Sequence, residues 1–210
     1  GAFDGIHRGH HLLLGQVVDR ARSLELPSLC VTFDPHPDLV LARRFEPVAP
    51  LTPLPERRAR ILALGIDEFV VVPFTRELAS LSPETFIDQY LVGPFQLRTL
   101  VVGERFALGR GRSGDIPRLR ELGGPRGFTV ESVALHADGG EPISSTRIRD
   151  ALAAGRIAEA ARLLGRRYQL EGRVVTGDAI GRTLGYPTAN LRLHDEKFIP
   201  AHGIYAVWAR

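Results

Sequence analysis

Gly1-Ala-Phe-Asp-Gly-Ile-His-Arg-Gly-His10 runs directly into a segment in which Leu12, Leu13, Val17, Val18, Ala21 and Leu24 recur at helical spacing. A glycine-rich turn therefore opens an amphipathic helix, with His7 and His10 at the helix N-terminus. Unpaired backbone N–H groups and the positive end of the helix dipole meet there, so a phosphate binds with little desolvation cost. The two imidazoles add donors, and Gly5 and Gly9, lacking a Cβ, let a nucleotide approach the backbone. The arrangement suits attack on the α-phosphorus of a nucleoside triphosphate, where positioning and charge neutralisation carry most of the rate. A plain helix whose first turn contains histidines fits the same residues. A metal site would need a His, Cys or carboxylate cluster at ligand spacing, and none follows.

Outward from this stretch the pattern alternates strand and helix. Leu29–Phe33, Glu68–Val72 and Thr99–Val102 are short apolar runs of the kind buried on both faces of a parallel sheet. Helices are expected over Pro55–Leu64, Pro83–Leu91, Ile116–Leu122, Thr146–Ala153 and Ile157–Leu164. The fold class is α/β, a doubly wound parallel sheet, in which ligands bind beyond the carboxyl ends of the strands.

A second anion-suited helix start lies at Ile143-Ser-Ser-Thr-Arg-Ile-Arg149. Ser144 or Ser145 can cap the helix, Thr146 offers a hydroxyl, and Arg147 and Arg149 carry planar forks for phosphate oxygens. An ordinary N-cap followed by solvated arginines explains the same run, and for Arg149 alone that is the preferred reading.

Phe3–His10, Thr32-Phe-Asp-Pro-His-Pro37, Val101-Val-Gly103, Gly109-Arg-Gly-Arg-Ser-Gly-Asp115 and Ile143–Arg149 together resemble the bacterial bifunctional riboflavin kinase/FAD synthetase family, in that order and at similar spacing. Leu163-Leu-Gly-Arg-Arg-Tyr168 resembles its inter-domain junction, and Gly177-Asp-Ala-Ile-Gly-Arg-Thr-Leu-Gly-Tyr-Pro-Thr-Ala-Asn190 its kinase signature. The histidine motif is shared by many adenylyl- and cytidylyltransferases; Gly-Tyr-Pro-Thr-Ala-Asn joined to it is far more specific. The resemblance implies an FMN adenylyltransferase domain over residues 1–167, its first strand missing, and part of a β-barrel riboflavin kinase domain over 168–210.

By that resemblance the first domain condenses FMN with ATP to give FAD and pyrophosphate, and the second phosphorylates riboflavin to FMN, with magnesium. His7, His10 and Arg147 would be catalytic, and Phe3, Asp4, Gly5, Gly9, Ser144, Ser145 and Thr146 would bind nucleotide. Asp4 either binds through magnesium or, more simply, caps the Gly5 turn. His36, Arg105 and Arg112 are flavin-side candidates, although a rigid proline turn explains His36 and a solvated Gly/Arg loop explains Arg112. Gly177 and Gly181 would shape the kinase phosphate loop, while Thr188 and Asn190 would hold magnesium and ATP phosphates. A glycine-turned β-hairpin is the alternative there, since Arg173–Thr176 alternates like a strand.

Two departures stand out. The family commonly has Asn or Asp before the phenylalanine matching Phe106, where this chain has Arg105. The chain also opens inside the first motif and ends 42 residues after Tyr168, too short a piece to close a barrel, so kinase competence is not expected of it.

Of 210 residues, 44% are hydrophobic, enough for an ordinary core, and no apolar run approaches the ~18 residues needed to span a bilayer. Cys30 is the only cysteine, which excludes an intrachain disulfide and fits a reducing cytoplasm. The net charge is +3, and Lys197 is the sole lysine among the cations. Such a balance suits anionic nucleotides and leaves a nucleic-acid-binding module as a third reading, beside a nucleotidyltransferase for another small acceptor. The arginines are interspersed with acids, as in Glu56-Arg-Arg-Ala-Arg60, so neither nucleic acid nor membrane is expected as a partner. The oligomeric state is not legible.

Overall fold

The computed structural model describes residues 1–41, 49–134, 136–178, 180–194 and 196–209. In chain order the elements are α1 (Arg8–Ser23), β1 (Leu29–Asp34), α2 (Pro37–Val40), α3 (Leu54–Ala63), β2 (Glu68–Pro73), α4 (Arg76–Ser80) and α5 (Pro83–Ile87). A π-helical stretch, Asp88–Val92, then leads into α6 (Gly93–Phe95) and β3 (Thr99–Gly103). A 3-10 turn at Arg110–Arg112 precedes α7 (Ile116–Arg126), β4 (Thr129–Val133), β5 (Ala137–Asp138), β6 (Glu141–Pro142), α8 (Ser145–Ala153) and α9 (Ile157–Leu164). The last elements are β7 (Gly172–Val175), α10 (Ile180–Thr183) and β8 (Asn190–Leu193).

β1 pairs in parallel with β2, Leu29 opposite Glu68 through Asp34 opposite Pro73, and β3 pairs in parallel with β4. The period of two in β1 decides which helices cover each face. Cys30 packs with Ile6, Leu14 and Val18 beside α1 and with Ile61 on α3. Val31 and Phe33 turn to the other face, towards Phe86, Ile87, Leu119 and Leu122 on α5 and α7. Helices therefore cover both faces of the β1–β2 pair, as a parallel sheet requires. Among the described residues strand hydrogen bonding joins strands in pairs, so the architecture is a mixed α/β fold with small parallel sheets. Gly1 and Ala2 lie beside the free edge of β1, with Gly1 N donating to Val31 O at 2.8 Å, but they form no ladder.

A third core joins α8 and α9 through Ile148, Ala151, Leu152, Ala160, Leu163 and Leu164, and it includes Leu51 from the loop before α3. That loop brings the first motif to the α8–α9 pair. Beyond it, β7 and β8 form an antiparallel hairpin, and among the described residues no barrel closes. Val174, Tyr186, Ile204, Val207 and Trp208 are exposed.

Two local expectations shift. On α1 the buried stripe is Leu14 and Val18, while Leu12 and Leu24 are exposed. Val17, beside Leu14 and Val18, is partly buried against the same core. α7 runs past Leu122 through Gly123, Gly124 and Pro125 to a left-handed Gly127, whose N–H bonds the carbonyls of Gly123 and Gly124.

Candidate active site

Asp4 is 2% exposed and accepts four donors: Leu51 N at 3.1 Å, Thr52 N at 3.0 Å, Thr52 Oγ1 at 3.2 Å, and the guanidinium of Arg149. With both oxygens so engaged, its carboxylate is a structural anchor with little capacity left for a metal ion. Gly5 follows at φ +82°, and a Cβ there would meet Leu51 Cδ1 at 2.8 Å, so the turn needs glycine both for its backbone and for the space. Gly5 N donates to Thr52 Oγ1 at 2.9 Å. Phe3 at φ +50° and buried Ile6 at φ +39° occupy the left-handed region as well. Side chains seldom adopt that backbone, and the surrounding bonds must hold it there.

His7 caps α1, its Nδ1 accepting from His10 N at 3.3 Å. In the neutral ring the proton therefore sits on Nε2, which remains a donor. The His7 and His10 rings stack at 3.7 Å, and Phe3 meets His10 edge-on at 5.2 Å. A Cβ on Gly9 would stand 3.2 Å from the His7 ring. Burial lowers His7 to about 4, only partly opposed by the Asp4 charge, and holds His10 well below the ordinary range. Both are neutral at pH 7. His10 Nδ1 is buried with no hydrogen-bond partner, an unmet capacity at the mouth of a helix that already favours anions. Among the described residues there is no group of three or more His, Cys, Asp or Glu arranged to hold a metal ion.

The second motif meets the first at Asp4. Ser144 caps α8, its Oγ accepting from Arg147 N at 3.2 Å. Ser145 Oγ donates to Asp4 O at 2.8 Å, and Thr146 is exposed on the first turn. Arg147 turns aside: Nη1 donates to Asp138 O at 2.9 Å and Glu141 O at 3.2 Å, with carboxylates of Asp138, Glu141 and Glu159 within 3.7 Å. Arg149, which sequence assigned to a solvated face, is instead largely buried, pairs with Asp4 and donates through Nε to Ala49 O at 3.1 Å.

Sequence reasoning missed three further contributors. Arg166, in the junction motif, donates to Gly5 O at 2.7 Å and Ile6 O at 2.8 Å, and burial lowers it to about 10. Buried Arg57 reaches Thr32 Oγ1 at 3.4 Å and Thr52 O at 3.3 Å. Thr52 ties the turn to α3. Of the three, only Arg166 lies in a motif, and that motif marks a domain junction.

The flavin-side candidates are more dispersed. His36 caps α2, accepting from Asp38 N at 3.2 Å, and lies within electrostatic reach of Asp4 and Arg149. Arg105 and Arg112 are exposed, and Arg112 Nη2 donates to Arg105 O at 2.9 Å. In the C-terminal segment a Cβ on Gly177 would land 2.0 Å from Asn190 Nδ2, and one on Gly181 would land 2.3 Å from Tyr186 O and 3.1 Å from Thr188. Gly177 thus adjoins Asn190, and Gly181 adjoins Thr188.

The FAD synthetase family model matches residues 1–147, which include the first motif and the second as far as Arg147, and the riboflavin kinase family model matches residues 164–210. The chain belongs to the FAD synthetase family. Curated bifunctional riboflavin kinase/FMN adenylyltransferases are similar to it: that of Listeria monocytogenes is 39% identical over 207 residues, covering 99% of this chain and 65% of the relative. That of Escherichia coli K12 is 40% identical, covering 99% and 66%, and that of Bacillus subtilis is 39% identical, covering 100% and 66%. The chain thus spans about 65% of the length of the relatives it matches. A crystal structure of a macrolide-efflux protein from Streptococcus pneumoniae superposes with a TM-score of 0.86 at 33% identity, covering 97% of this chain and 66% of that one. Among the described residues no helix is long and apolar enough to cross a membrane. For this FAD synthetase family member, the likeness to the curated relatives extends over both motifs and the Leu163–Tyr168 junction that follows them.

Proposed function

We propose that residues 1–167 form a doubly wound nucleotidyltransferase domain that transfers adenylyl from ATP to FMN, giving FAD and pyrophosphate in the cytoplasm. Residues 168–210 then belong to a β-barrel riboflavin kinase domain that makes FMN from riboflavin and ATP. One observation carries the reading: Asp4 joins the two anion-suited helix starts, with Ser145 bonded to its carbonyl and Arg149 paired with its carboxylate. Family membership and the bifunctional relatives support the choice of substrates.

In this reaction a phosphate oxygen of FMN attacks the α-phosphorus of ATP, the bond from that phosphorus to the bridging oxygen breaks, and pyrophosphate leaves. No strong base is needed, since the nucleophile is already an anion. His7, donating through Nε2, and His10 stabilise charge gathering on the α-phosphate and the departing pyrophosphate. The N-terminus of α8, with Ser144, Ser145, Thr146 and Arg147, holds the triphosphate, and Phe3, Gly5 and Gly9 shape the nucleotide's approach. His36, Arg105 and Arg112 face the flavin.

In the kinase segment Thr188 and Asn190 offer neutral oxygens that fit magnesium carried with ATP, and the ion would neutralise phosphate charge there. Asp4, already saturated with donors, is not a candidate for that role.

Incubating the chain with ATP, magnesium and FMN and separating the flavins by chromatography tests the proposal. FAD and pyrophosphate should form in equal amounts and fall at least a hundredfold in His10→Ala. FAD no higher than in that variant would overturn it, and pyrophosphate release with pantetheine phosphate or nicotinamide mononucleotide in place of FMN would point to another acceptor.

A further inference from the structure

Two consecutive peptide units connect the riboflavin kinase segment to the Asp4 carboxylate. In the Pro50–Leu51 unit the carbonyl accepts from Phe198 N at 2.9 Å, and the N–H of the same unit donates to Asp4 Oδ2 at 3.1 Å. In the Leu51–Thr52 unit the carbonyl accepts from Lys197 Nζ at 2.7 Å, and the N–H donates to Asp4 Oδ1 at 3.0 Å. Tyr168 reinforces the same place, its hydroxyl donating to Phe198 O at 2.7 Å and lying 3.2 Å from Leu51 O. A donor on a carbonyl polarises its peptide and strengthens the hydrogen bond made by the N–H on the other side, and an ammonium does so more than a neutral group.

Lys197 is an expensive choice for a simple fastener. Its side chain is 3% exposed, and it is the chain's only lysine. Its ammonium is fully engaged, by Leu51 O, by Glu56 Oε2 at 2.5 Å and by the face of the Tyr168 ring at 4.7 Å. Holding a loop by packing alone needs no buried charge, whose desolvation an apolar side chain avoids. Glu56 also pairs with Arg60 at 2.9 Å, so removing the ammonium leaves no lone carboxylate.

We propose that Lys197 is a positioning residue for nucleotidyl transfer, acting from the kinase segment through the Leu51–Thr52 peptide to fix Asp4 and hence the turn carrying His7 and His10. This rests on the adenylyl-transfer reading given above.

The test compares Lys197→Met, Lys197→Gln and Lys197→Arg with the unaltered chain. Two quantities are read: hydrogen exchange of the Leu51 and Thr52 amides, and kcat and KM for ATP in FAD formation. Lys197→Met should speed exchange at Thr52 about tenfold and lower kcat by about tenfold, the scale of a small misplacement of catalytic groups, with KM for ATP within twofold. Lys197→Gln should fall between, and Lys197→Arg should recover most of both. Glu56→Gln, which removes the ion pair but leaves the ammonium on Leu51 O, should lower the melting temperature without lowering kcat. Unchanged Thr52 exchange in Lys197→Met would overturn the proposal, as would equal effects of Lys197→Met and Glu56→Gln on kcat. Absence of FAD with the unaltered chain would refute the assigned reaction, while the Thr52 amide would still decide whether Lys197 holds the turn.

Discussion

Arg149 and Asp4 lie 145 residues apart in sequence and form an ion pair in which the carboxylate is 2% exposed. The pair closes α8 onto the turn before α1, beside the bond from Ser145 Oγ to Asp4 O, so the two helix starts meet at one buried residue. Removing one partner of such a pair leaves the other desolvated. Arg149→Met should destabilise the chain by about 3–5 kcal/mol, read as a lower urea midpoint at unchanged slope. A loss below about 1 kcal/mol would mean that the Leu51 and Thr52 amides suffice to hold Asp4.

Burial of His7 gives stability a defined pH dependence. The folded chain holds this imidazole at about 4 against 6.5 in model compounds, so below pH 6.5 the unfolded chain takes up a proton that the folded chain refuses. Asp4 opposes the shift, while His11 and Arg166 add to it. Its contribution is therefore whole above about pH 6.5 and is lost as pH falls towards 4, amounting to roughly 3 kcal/mol. His7→Asn, which keeps a capping oxygen, should reduce the pH slope of unfolding free energy in that window by about one proton. His10 and His11, also lowered by burial, leave a residual slope.

Features with a local sequence cause were legible, and features with a distant one were not. α9 occupies Ile157–Leu164 as expected, because its apolar period and the Gly165 stop lie within ten residues of each other. β4 was missed: in Thr129-Val-Glu-Ser-Val133 a charge interrupts the apolar run, and that charge, Glu131, points outward to Arg20 at 2.8 Å. At the site, the His7 and Ser144 caps follow from their immediate neighbours. Arg166 and Lys197 act on backbone carbonyls of Gly5, Ile6 and Leu51, 146 to 161 residues away, and a carbonyl acceptor leaves no mark on side-chain pattern. Arg149 was misread for a related reason, since a helix face looks solvated until the opposing turn is in view.

The glycine spacing of the kinase segment carries its own test, independent of any activity. A Cβ on Gly181 would land 2.3 Å from Tyr186 O, a backbone atom that cannot rotate away, so the loop must open to admit it. Gly181→Ala should raise hydrogen exchange across residues 180–190 while leaving α8 and α9 protected. A contact with a mobile side-chain tip would instead be absorbed without change.

Asp138 gathers three arginines: Arg162 Nε at 2.9 Å, Arg8 Nη1 at 3.3 Å and Arg147 Nη2 at 3.6 Å. Their pull holds its carboxyl below the ordinary aspartate range, chiefly through the Arg162 bond. Arg147 is thus occupied by an internal carboxylate at the end of the helix proposed to hold triphosphate. A phosphate oxygen would have to compete with Asp138 for that guanidinium. Asp138→Asn keeps the size of the side chain and the Asp138 backbone carbonyl that Arg147 uses, but it removes one of the three carboxylate charges beside that guanidinium, leaving Glu141 and Glu159. With that competitor weakened, KM for ATP in FAD formation should fall about three- to fivefold. Arg147→Ala should raise the same KM and make the Asp138→Asn effect disappear in the double variant. If Asp138→Asn raises KM instead, the carboxylate is holding Arg147 in its working orientation and not drawing it away.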